Sequence, residues 1–73
     1  MNEEFLAKLI GQSVGLYPNE IATLLNQNGV TIDAENFDTN QLIDAVFNGL
    51  RKNVSFNKAF SVWVDKNQDK LNL

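Results

Sequence analysis

Asp65, Asn67 and Asp69 stand two residues apart, the spacing of the first three oxygen ligands in an EF-hand calcium loop. That loop also needs a glycine at its sixth position and a bidentate glutamate at its twelfth. Lys70 occupies the glycine position, and no glutamate follows before Leu73. Calcium binding is therefore not expected. A zinc site built from thiolates or imidazoles is excluded, because the 73 residues include neither cysteine nor histidine. The expected complement of metals and cofactors is none.

The same two absences remove the commonest general base and the strongest nucleophile. Ser13, Ser55 and Ser61 remain, with no histidine to activate any of them. Paired carboxylates can do acid–base work. Here Glu3 and Glu4 fall at the start of a helical pattern, and Asp65 and Asp69 lie one turn apart near the end of another. Dipole complementarity and solvation account for both pairs. No phosphate-cradling GxxxxGK[ST] or GxGxxG pattern occurs. Asn53-Val54-Ser55 matches the glycosylation sequon, and in a chain with eleven asparagines a chance match suffices. The asparagines are scattered among apolar residues, so the chain is not of low complexity, and a base-composition bias of the genome explains the excess. The chain reads as non-enzymatic.

Nucleic-acid binding fares little better. Glu20-Ile21-Ala22-Thr23-Leu24-Leu25 resembles the first helix of a helix-turn-helix. The connection that follows, Asn26 to Asp38, is too long for the tight turn of that motif. The next helix opens Thr39-Asn40-Gln41 and carries Asp44, whereas phosphate contact needs clustered bases.

Four stretches carry helical periodicity. In the first, Phe5, Leu6, Leu9 and Ile10 share a face, Asn2 is placed to cap the start, and Gly15 followed by Leu16 reads as a left-handed stop. The second opens on Pro18, buries Ile21, Ala22, Leu24 and Leu25, and stops at Gly29-Val30. Val30 to Asp38 reads as a connection with room for a short extended piece. The third has the clearest start: Asp38 and Gln41 at capping-box spacing, bracketed by Phe37 and Leu42 as a hydrophobic staple. Leu42, Ile43, Val46, Phe47 and Leu50 form its stripe, with Gly49 a mild defect in it. The fourth reads as capped by Ser55, with Phe56, Ala59, Phe60 and Trp63 as its stripe and Leu71 and Leu73 exposed beyond it.

With 44 % hydrophobic residues and one proline the chain has a folding composition, and no apolar run is long enough to span a membrane. Met1-Asn2-Glu3-Glu4 is acidic where a signal peptide is basic, so secretion by that route is not expected. The net charge of −3 is unevenly distributed. Residues 1–50 hold seven acids and only Lys8, a net of −6, whereas residues 51–73 hold five bases and two acids, a net of +3. A chain divided this way can attract a copy of itself or offer two faces to two partners.

These observations predict an all-α fold, a small compact bundle of about four helices near residues 3–14, 18–28, 39–52 and 56–69, in a single domain over 1–73. The expected role is structural: a small subunit or cementing component of a larger assembly, with a virus or phage particle as the setting. The alternatives are a cytoplasmic adaptor working through one helix face and a weak nucleic-acid binder. The expected partners are other proteins of the assembly, copies of this chain included, with no membrane span and no metal, and nucleic acid is not the expected partner. The expected location is the virion or host cytoplasm. The expected contact surface is the last helix and tail, at Lys58, Val62, Trp63, Val64, Lys66, Lys70, Leu71 and Leu73. Three consecutive apolar residues there exceed what a small bundle needs from one helix, and aromatic residues are enriched in interface cores.

Overall fold

The computed structural model describes residues 3–71, and four α-helices are the regular elements among them. They are α1 (Glu3–Leu16), α2 (Pro18–Gln27), α3 (Thr39–Lys52) and α4 (Val54–Lys66). The fold is the all-α bundle expected from the periodicity. The proposed cap Asn2 lies outside the described residues.

Two helix boundaries fall where the sequence pattern places them. Asp38 accepts the Gln41 backbone N–H at 2.8 Å, and the Gln41 side chain accepts the Asp38 backbone N–H at 3.0 Å, which closes the capping box at the head of α3. Gly29 has φ +84° and ends α2. The backbone N–H of Val30 reaches back to Leu25 O at 2.9 Å and that of Gly29 to Asn26 O at 3.3 Å, the two bonds of a Schellman stop.

Two others fall elsewhere. α1 runs through Gly15 to Leu16, and Gly15 has no positive φ. What breaks the helix is Pro18, which disfavours helical geometry in the residue before it. Tyr17 accordingly leaves the helix at φ −133°, ψ 55°, and Pro18 opens α2. The head of α4 is capped by Asn53, whose side chain accepts the Phe56 N–H at 2.9 Å, so the helix starts at Val54 and Ser55 sits inside it. Asn53 also ends α3, so the two helices join at a single residue. At its far end α4 stops at Lys66, short of Asp69, because the Asn67 side chain turns back to donate to Trp63 O at 2.7 Å.

Asparagine side chains tie the helix ends together. The Asn26 amide pairs with both backbone groups of Ile32, at 2.9 Å each, and holds the start of the 30–38 connection against α2. Asp33 accepts the N–H groups of Glu35 and Asn36 in the turn that follows. No strand forms there among the described residues. Asn53 donates to Asn28 O at 2.9 Å and the Ser55 hydroxyl donates to Asn28 Oδ1 at 2.7 Å, locking the end of α2 to the head of α4.

The core is formed by Leu9, Ile10 and Val14 of α1, Ile21, Ala22 and Leu25 of α2, Leu42 and Val46 of α3, Phe56 and Phe60 of α4, and Leu71. Ser13 is fully buried among them and donates to Leu9 O at 2.8 Å. Gly49 is a point of close approach and not a mere defect. A Cβ there would stand 2.6 Å from Cδ2 of Phe56, whose ring is fully buried. α3 packs against all three other helices and α2 also touches α1 and α4. α1 and α4 make no such contact among the described residues. They flank α3 with their backbones apart.

Candidate functional site

The residues with chemical potential are occupied in holding the fold. The hydroxyls of Ser13 and Ser61 donate to the carbonyls of Leu9 and Asn57, and that of Ser55 donates to the Asn28 amide oxygen. Asp65 sits in the last turn of α4 and accepts from Gln68 at 3.3 Å, and Asn67 caps the helix. Helix and turn thus stand where a calcium loop would be needed. Among the described residues no group of three or more His, Cys, Asp or Glu side chains gathers where it could hold a metal ion. No helix among them is long and apolar enough to cross a membrane.

The surface expected on the last helix is divided by the structure. Successive helix residues point about 100° apart, so Val62, Trp63 and Val64 cannot share a face. Trp63 turns inward and is half-buried. Its ring stacks on Phe60 at 6.0 Å between centroids and meets the edge of Tyr17 at 5.8 Å. Its Nε1 is buried with no hydrogen-bond partner. Val64 is half-buried and packs against the core. Val62 points outward and is 52 % exposed. Lys58 and Lys66 are exposed beside it on the helix, whereas Lys70 is exposed on the turn that follows and has left the helical ladder. Leu71, expected to be exposed, is 4 % exposed. The turn over residues 67–70 is closed by the Leu71 N–H donating to Asn67 O at 3.1 Å, and it swings that side chain into the core. Leu73 lies outside the described residues.

The separation of α1 from α4 leaves an open groove of about 1080 Å³. Its floor is Phe47 and Leu50 of α3, with Phe60 of α4 and Leu71. Phe5 and Leu6 form the α1 wall, and Val64 the α4 wall. Phe5 is 45 % exposed although it lies on the stripe expected to be core. The first turns of α1 face α4 across the groove and do not pack against it, which is why. Glu3, Asp65 and Arg51 supply the charges at the groove, and the Arg51 guanidinium lies 6.0 Å from the centre of the Phe47 ring.

An apolar cleft that is open at the top and bordered by a few charges can take up an apolar segment of another molecule. Periodicity could not reveal this one. Phe5, Leu6, Phe47 and Leu50 read as ordinary core positions, and only the missing α1–α4 contact leaves them accessible. Protein-family models, curated proteins and solved structures were compared with the chain, and none of them matches it.

Proposed function

We propose that this protein is a non-enzymatic structural part of a larger protein assembly and docks onto neighbouring proteins through the groove between α1 and α4. The observation that carries the reading is the groove itself, where Phe5 is 45 % exposed and Leu6, Phe47 and Leu50 are only partly buried. A small bundle has few apolar side chains to spare, and leaving Phe5 half exposed forgoes burial energy that a partner covering it would recover. A virus particle is the setting we favour, on the skewed asparagine content and the lack of histidine and cysteine.

The test is a photo-crosslinking amino acid at position 5, in cells where the chain is naturally made. Gradient sedimentation should place the chain with one particle in fixed stoichiometry, and the cross-link should join it to a protein of that particle. A chain that sediments free and forms no cross-link from position 5 overturns the reading.

A further inference from the structure

The side of α4 facing away from the core carries Val54, Lys58, Val62 and Lys66, each four residues after the last, so they stand in one row. All four are exposed, Val54 at 72 % and Val62 at 52 %. A single exposed valine needs no explanation. Two of them, separated by two helical turns and each followed one turn later by a lysine, form a ridge with apolar knobs and basic flanks.

We infer that the occupant of the groove is the α4 ridge of a second copy of this chain. The inference rests on the docking role proposed above and names its partner. Ridge and groove agree in two respects. The valines meet the partly exposed apolar side chains of Phe5, Leu6, Phe47 and Leu50. The lysines meet a rim on which Glu3 and Asp65 outnumber Arg51, leaving it net negative. The division of charge along the chain points the same way, since residues 1–50 carry −6 and residues 51–73 carry +3. That division steers the basic end of one copy towards the acidic body of another. The two surfaces differ, so each copy can give one contact and receive one. Copies can add head to tail or close in pairs.

Light scattering and sedimentation of the purified chain test this, with two variants. Phe5→Asp damages the groove and leaves the ridge, and Val62→Asp damages the ridge and leaves the groove. Both sites are about half exposed, so both variants should fold, which their helical circular dichroism will verify. Wild type should self-associate and each variant alone should be monomeric. The two variants mixed should form a 1:1 complex, because one supplies an intact groove and the other an intact ridge. Lys58→Glu with Lys66→Glu should weaken wild-type association about tenfold at low salt, and less at high salt. The inference falls if wild type stays monomeric to about 1 mM, the weakest association worth the name. It also falls if Val62→Asp associates like wild type, or if the mixed variants fail to pair. A monomeric wild type whose position 5 still cross-links to a different protein of a particle would overturn the self-docking and leave the docking role standing.

Discussion

Gly11 and Gly49 both lie inside helices, and the same substitution should move stability in opposite directions at the two. Replacing a helical glycine with alanine removes backbone freedom from the unfolded chain and gains about 0.5–1 kcal/mol where there is room for the methyl group. At Gly11 nothing lies within 4 Å of the new Cβ and the position is exposed, so Gly11→Ala should gain that full amount. At Gly49 the Cβ would meet three atoms of the Phe56 ring, at 2.6, 3.2 and 3.3 Å. Phe56 is fully buried and its ring lies 5.7 Å from that of Phe60, so it has little room to yield. Overpacking a core costs about 1–3 kcal/mol, and three contacts this short put Gly49→Ala near the upper end. After the helical gain is subtracted, a net loss of about 1–2 kcal/mol remains. The two variants should therefore differ by about 2–3 kcal/mol, on the order of 10 °C or more in Tm for a chain of this size. Urea denaturation followed by circular dichroism measures the difference. Phe56→Leu withdraws ring atoms from the contact, so alanine at position 49 should cost less in that background, by about 1 kcal/mol. If Gly49→Ala stabilises the protein as Gly11→Ala does, α3 and α4 do not meet through this contact and the account of their junction is wrong.

Asp38→Ala should cost about 1 kcal/mol by opening the capping box of α3, and Asn53→Ala should cost about twice that, because Asn53 both caps α4 and donates to Asn28 O. Equal losses in chemical denaturation would refute the role of Asn53 at the junction. Phe60→Ala should cost about 3–5 kcal/mol and Leu71→Ala about 2–4 kcal/mol, as both are buried. A Leu71→Ala variant with unchanged midpoint would mean that the tail does not close the core. Titration calorimetry should show no calcium binding tighter than about 1 mM, and tighter binding would restore Asp65, Asn67 and Asp69 as ligands.

The helices were legible because each carries local signals that act over three or four residues. The Asp38–Gln41 box and the Gly29 stop need only the backbone within reach of one side chain or one glycine. The misplaced boundaries were also local, and competing signals decided them. Pro18 outweighed Gly15, because a proline removes helical geometry from its predecessor whereas a glycine only permits a stop. Asn53 outweighed Ser55, because its side chain bonds at both ends, to the Phe56 N–H and to Asn28 O. That second bond joins residues 25 apart, which no local pattern encodes.

An all-α chain, the order and approximate extent of its helices, their apolar stripes and the division of charge are all written in the residues. Those follow from periodicity, capping and composition, which depend on near neighbours alone. Which parts of the stripes are covered depends on how the helices pack. Phe5 and Phe60 carry the same periodic signal, yet Phe60 is buried and Phe5 is half exposed, because α1 and α4 pack on α3 without meeting each other. That packing also turned Gly49 from a weakness into a contact, drew Leu71 into the core and set Val62 apart from Trp63 and Val64. Each of these outcomes depends on the angles at which whole helices cross, and those angles are fixed by the packing of side chains distant in the sequence.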